Sequence, residues 1–190
     1  MEGAKKEWKD IEYFDDSWKE RIRFMSKYIP HSKSVMDIGC GRMWLREMIP
    51  TSIYIPVDYK KRDNNTIICD LNKYEFPNQT ADVIFISGCL EYVKDYEWFI
   101  TEISKHSQKC IVSYCAFDDE CDIAVRKSRT WVNNLTKKEL IKEFSKNGME
   151  TIVKTKFDRV NNVFVFKKPK GFFYKIYLYI KNKINIFLGI

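Results

Sequence analysis

The sequence is poor in the residues that build metal centres. It has two histidines, His31 and His106, and its six cysteines form no C-x-x-C pair and no zinc-like spacing with either histidine. A zinc module and a dithiol redox motif are therefore excluded, and no metal site is expected. Cys40, Cys69, Cys89, Cys110, Cys115 and Cys121 fall mostly in or beside apolar, strand-like runs. A free thiol there acts as a small buried hydrophobe, a usage that fits a reducing compartment. No apolar run approaches the roughly 18–20 residues that span a bilayer. Residues 1–23 are charged and lack an apolar h-region, so no secretory signal is expected either. Internal repeats, low-complexity tracts and Gly/Ser linkers are missing as well. For 190 residues this leaves one domain over 1–168, with a helical cover at 7–30 and a tail at 169–190, in a cytoplasmic protein.

What is present is enough apolar and aromatic material, 45% and 15%, to bury a proper core. The net charge of +7 is unevenly placed: residues 1–125 sum to −5 and residues 126–190 to +12. The C-terminal third is thus drawn either toward something anionic or simply toward water. Helical and strand-like segments alternate, the pattern of a mostly parallel sheet covered by helices. Trp18, Ile22, Met25 and Ile29 stand at helical spacing within 16–29, ahead of Pro30. Strands are expected near 34–38, 53–57, 66–69, 82–87 and 109–114, with helices at 42–49 and 95–106. Residues 116–130 read as a long charged loop. Thr136 and Glu139 then form a capping box for a helix that stops at Asn147-Gly148. Two last strands, 150–157 and 162–167, are close enough to pair as an antiparallel hairpin.

The sharpest local signal is Val35-Met36-Asp37-Ile38-Gly39-Cys40-Gly41 at a strand-to-helix turn. Glycines at such a turn let the backbone approach a ligand closely, beside the free N–H groups of the helix start. A dinucleotide fingerprint fits poorly, because its third glycine position holds Trp44 and Asp37 would repel a pyrophosphate. The same carboxylate suits a cationic ligand. Asp58, 21 positions on, ends the next strand, where an acid accepts hydrogen bonds from ribose hydroxyls. Together these positions describe an adenosine site at neighbouring strand ends.

On these residues the chain resembles the class I S-adenosylmethionine-dependent methyltransferases, over roughly 33–115 with weaker support to 167. The character is closest to small methyltransferases of bacterial glycan pathways. The resemblance implies a Rossmann-like three-layer α/β sandwich, whose mostly parallel seven-stranded sheet ends in the antiparallel hairpin. It also implies S-adenosylmethionine as cofactor. Asp37, Gly39, Cys40 and Gly41 would form the glycine turn and Asp58 would meet the ribose. Asp70 and Leu71 would meet the adenine, and Ser87, Gly88 and the segment to Glu91 would line the methionine end and acceptor entrance. Two departures stand out. Met43 takes a place where the family often has glycine, and Leu90-Glu91-Tyr92 replaces a common Leu-Glu-His triplet. Asp70 also reads as an Asx-turn residue, and Glu91 as an acid in the first turn of a helix.

The implied reaction is methyl transfer, in which holding the acceptor in line does much of the catalysis. A hydroxyl acceptor also benefits from a base. The candidates are Glu91, Asp118 and Asp119. Arg126, Arg129 and Trp131 resemble a stretch in glycan-pathway methyltransferases and are candidates for binding an anionic sugar or glycan precursor. A loop anchored by Trp131 with solvent-facing arginines is the other reading. DNA amino-methyltransferases lack a match here, because no Asp/Asn-Pro-Pro-Tyr/Phe/Trp motif occurs. RNA stays open through the basic third. In 171–190, Phe173, Ile176, Tyr177, Ile180, Ile184, Phe187 and Leu188 recur near helical spacing among Lys175, Lys181 and Lys183. Such a stripe suits the inner face of a membrane, the protein's own surface or a second subunit.

Overall fold

A computed structural model describes residues 14–31 and 33–169. The whole C-terminal stripe, 171–190, and residues 7–13 of the expected helical cover lie outside the described residues. The chain runs through α1 (Ser17–Ser26), β1 (Ser34–Ile38), α2 (Trp44–Met48), β2 (Ile53–Asp58), β3 (Ile67–Ile68) and β4 (Ala81–Ser87). It continues through α3 (Tyr96–His106), β5 (Ser107–Cys115), α4 (Ile123–Ser128), α5 (Lys137–Lys146), β6 (Glu150–Lys156) and β7 (Asn161–Lys167). Short 3-10 turns at Leu71–Lys73 and Leu90–Tyr92 follow β3 and β4. The seven strands form one sheet in the order β3-β2-β1-β4-β5-β7-β6. Strands β1 to β5 pair in parallel, whereas β7 is antiparallel to both β5 and β6. The sheet is the mixed seven-stranded one expected, hairpin included.

Both faces of the sheet are covered, which is why the parallel strands are apolar on both sides. On one face Met36, Ile84, Ile86 and Val112 pack against Phe99, Ile100 and Ile103 of α3 and Leu140 and Phe144 of α5. On the other, Val35, Val83, Phe85 and Ile111 pack against Met25 of α1 and Leu45 of α2. The capping box of α5 is present, Thr136 and Glu139 bonding each other's backbone. Gly148 follows it at φ 74°, the left-handed stop that favours glycine. The loop expected at 116–130 is partly helical. Asp122 accepts from the Ala124 and Val125 N–H groups, and this cap starts α4. Among the described residues no helix is long and apolar enough to cross a membrane.

Because β2 and β3 lie to one side of β1, and β4 and β5 to the other, the strand order reverses between β1 and β4. A crevice opens at the carboxyl ends of strands at such a switch point. The turn at Gly39–Gly41 leaves β1 there, and Ser87-Gly88 leaves β4.

Candidate functional site

The glycine turn is built by backbone constraints. Gly39 and Gly41 both have positive φ, 76° and 48°, and the Gly39 and Cys40 N–H groups donate to the Val57 carbonyl at 2.9 and 3.1 Å. A Cβ on Gly39 would lie 3.1 Å from the Cys89 side chain, and one on Gly41 would collide with the Phe14 ring at 2.3 Å. Met43 is also left-handed, at φ 54°. That explains the glycine usual in the resembled family, since a side chain there costs about 1–2 kcal/mol.

Two buried carboxylates border the turn, Asp37 and Asp58, each 5% exposed. Burial pushes the Asp37 carboxyl up to about 7, against a 2.6 Å hydrogen bond from the Tyr54 hydroxyl and with the Asp58 charge adding to the rise. Asp58 accepts from the Gly41 N–H at 3.0 Å and the Lys60 N–H at 3.2 Å, which ties β2 to the turn. Arg62 grips the same carboxylate with two nitrogens, at 3.1 Å to Oδ2 and 3.2 Å to Oδ1. Its guanidinium lies 5.8 Å from the Phe14 ring centroid. Arg62 and Phe14 thus stand over the turn and the acid.

Beyond β3, Asp70 caps the 3-10 turn by accepting from the Asn72 N–H at 3.1 Å, with Lys73 3.7 Å away. Leu71 packs against the core. The Asx reading of Asp70 is therefore real in this structure, and its outer oxygen also faces a lysine.

At the end of β4, Arg21 reaches across from α1. Its Nε donates to Ser87 Oγ and its Nη1 to Asn161 Oδ1, both at 3.0 Å. Glu91 is 1% exposed. Its Oε1 accepts from the Cys115 N–H at 2.8 Å, and its Oε2 is buried with no partner among the described residues. Burial holds the Glu91 carboxyl above the usual carboxylate range, against two backbone hydrogen bonds and the nearby Arg21 charge.

The segment after β5 is tied down on all sides. Asp119 accepts from Lys156 at 2.6 Å, Asn162 at 2.7 Å and Lys137 at 2.9 Å. Burial works against its ionisation, yet these donors bring its carboxyl down to about 2. Asp118 accepts from the Lys137 N–H at 2.9 Å. Proton acceptance at neutral pH is weak for Asp119, its charge stabilised by those three donors. Arg126 corrects the expectation of a ligand-facing cation. It is 1% exposed and donates to Asn134 Oδ1 at 2.6 Å and to the carbonyls of Cys115, Glu120 and Asn133 at 3.0–3.1 Å. Trp131 lies between it and Arg129, 4.8 and 5.1 Å from the two guanidiniums, and donates to the Tyr92 hydroxyl at 3.3 Å. Of this group only Arg129 is exposed.

The structure brings Asp37, Gly39, Cys40, Gly41 and Asp58 into one group around the turn, and joins Ser87, Gly88 and Glu91 at the end of β4. Asp118 and Asp119 stand apart in their lysine cluster. Sequence reasoning missed Arg21, Tyr54 and Arg62. Arg21 did carry a signal, since it lies one turn before Met25 on the apolar face of α1.

A profile of the family described as methyltransferase domain matches residues 11–155. The chain belongs to this family. No curated protein matches the sequence, but solved structures share the fold at low identity. The 1,6-didemethyltoxoflavin N1-methyltransferase of Burkholderia thailandensis, with S-adenosylhomocysteine bound, is 12% identical; the match covers 82% of this chain and 80% of that one, at a TM-score of 0.61. The magnesium protoporphyrin IX methyltransferase of Synechocystis, also with S-adenosylhomocysteine, is 12% identical over 80% and 83%, at 0.61. An O-methyltransferase from neocarzinostatin biosynthesis, in complex with S-adenosylmethionine and 2-hydroxy-5-methyl naphthoic acid, is 9% identical at 0.64. There the match covers 83% of this chain and 57% of that one.

Proposed function

We propose that this methyltransferase-family chain transfers a methyl group from S-adenosylmethionine to a hydroxyl of a small acceptor of the sugar, glycan or sugar-phosphate class. The donor set of the turn fits that cofactor. Asp37 and Asp58 offer buried carboxylates to a ligand with an ammonium and two ribose hydroxyls, over a turn too tight for side chains. Arg62 already holds the Asp58 carboxylate by an ion pair and a hydrogen bond from Nη2, on the oxygens that a ribose diol would seek. Solved methyltransferases of this fold hold S-adenosylmethionine or its product. The cofactor, when bound, supplies a methyl group on an electron-poor sulfur.

The chain's own residues divide the remaining work. Asp37 and Asp58 orient, and the glycine turn admits the ligand close to the backbone. Glu91 takes the acceptor's proton: Oε1 is fixed by Cys115 while Oε2 has no partner among the described residues. That half-satisfied carboxylate carries the choice of a hydroxyl acceptor, because a base helps a hydroxyl more than an amine that arrives unprotonated. Arg129, exposed at the rim, is the residue offered to an anionic group on the acceptor. Asp118 and Asp119 serve as anchors. One O-methyltransferase of this fold binds a hydroxylated acid.

The test is Glu91→Gln, assayed with labelled cofactor against fractionated glycan precursors and hydroxy acids. Turnover is expected to fall about 10²–10⁴-fold with cofactor affinity unchanged. The pH–rate profile should also lose its acid limb, which lies above the ordinary glutamate range. Retained turnover, or labelling of amines alone, would overturn the hydroxyl assignment.

A further inference from the structure

A carboxylate taken out of water keeps its charge only where donors or cations support it. The two acids of the turn differ in that support. Asp58 accepts from the Gly41 and Lys60 N–H groups and pairs with Arg62. Asp37 is just as buried, yet among the described residues it has one hydrogen bond, from the Tyr54 hydroxyl to Oδ2 at 2.6 Å. Register explains the reach. Asp37 stands opposite Pro56 on β2, and Tyr54, two residues before that proline, lies on the same face of the sheet. The Tyr54 ring packs against the apolar cluster of Val35 and Leu45. A phenylalanine would pack as well, so packing leaves the hydroxyl unexplained. Among the described residues, the titratable groups coupled to Asp37 are the Asp58 carboxylate ending β2, the Cys40 thiol of the turn, the Cys89 thiol after β4 and Tyr54 itself. None of them is a cation, and Arg46 of α2 acts on the phenol instead. Burial and the Asp37 charge push the Tyr54 phenol up, so it keeps its proton and remains the donor.

We infer that Tyr54 is the positioning residue for Asp37: its hydroxyl fixes Oδ2 and stabilises the charged form, so that the cofactor's ammonium meets an ionised carboxylate in one orientation. The inference rests on the reading of Asp37 as a cofactor-binding acid in the proposed methyl transfer. Tyr54 acts only through Asp37, from the strand beside it.

The test is Tyr54→Phe, which keeps the ring and removes the donor, in calorimetry on the full chain between about pH 6 and 8.5. S-adenosylhomocysteine carries the ammonium, and 5′-methylthioadenosine lacks it. For the wild type, affinity for the former rises with pH as Asp37 ionises. Losing a hydrogen bond to the charged form moves that rise about one to two pH units higher, a loss of about 5- to 50-fold at pH 7. Affinity for methylthioadenosine stays as it was. In an Asp37→Asn background the same substitution should cost S-adenosylhomocysteine binding nothing further. Tyr54→Gln keeps a donor and should fall between, and it carries the comparison if the phenylalanine variant melts early. An equal loss for both nucleosides, or a pH profile that does not move, would overturn the role of Tyr54 and leave the methyl-transfer reading standing. A wild type that binds neither nucleoside would end that reading and this inference with it.

Discussion

The two halves of the sheet's carboxyl edge treat buried arginine in opposite ways. Beside β5, Arg126 is locked by one side-chain amide and three backbone carbonyls, with Trp131 against its face. Nothing a ligand brings could replace four oxygens placed by the chain itself. Beside β2, Arg62 pairs with the Asp58 carboxylate at a turn shaped for close approach. A ligand with paired hydroxyl donors competes directly for that carboxylate. The residue type is the same and the burial is similar, so the partner decides whether a cation is scaffold or part of the binding chemistry.

Replacing Arg126 should break this comparison most visibly. Arg126→Ala leaves several buried carbonyls without donors, at about 1–3 kcal/mol each where water cannot reach. A loss of about 3 kcal/mol or more is expected, read as a lower urea midpoint, with cofactor affinity nearly unchanged in the folded fraction. A variant as stable as wild type would show that the loop does not depend on this strut. Arg62→Ala should act the other way round. The free protein melts earlier, while S-adenosylhomocysteine binds about tenfold tighter because Asp58 has lost its internal competitor. Weaker binding instead would make Arg62 a helper of the ligand.

The smallest expected effect is a pH dependence carried by Asp37. Its carboxyl titrates at about 7 in the folded chain, against 3.8 as the ordinary value. The folded state therefore holds an extra proton between these values. Ligand-free stability from this group is full below 3.8 and is lost as pH rises toward and through 7. A cation at Asp37 favours the ionised form, so cofactor affinity should rise severalfold between about pH 6 and 8. Calorimetry across that range checks it, and Asp37→Asn should flatten the profile. A slope that survives the substitution would place the titration elsewhere.

Much of this architecture was legible because it rests on local rules. Thr136, Glu139 and Gly148 announce the start and end of α5 through capping chemistry alone. The turn at Gly39–Gly41 and the acid at Asp58 could be read because strand ends and glycine spacing are one-dimensional features. The helix at Ile123–Ser128 escaped because its cap, Asp122, stands in a run of acids where no single cap is distinguished. Resemblance and charge point Arg126 at the acceptor, yet its environment is made by Cys115, Glu120 and Asn133, whose carbonyls meet only after β5 and its loop have folded back. Asp119 shows the same limit, since Lys137, Lys156 and Asn162 come from three later elements.

By itself, the order of residues determined the alternation of helices and strands, the sheet that buries both its faces and the glycine bend with its two acids. These follow from periodicity, capping and backbone sterics, which act between near neighbours. Only the tertiary structure decided which charged groups are saturated and which keep capacity for a ligand. Arg21, Arg62 and Arg126 are alike in composition, and they differ because long-range packing gave each a different set of oxygens.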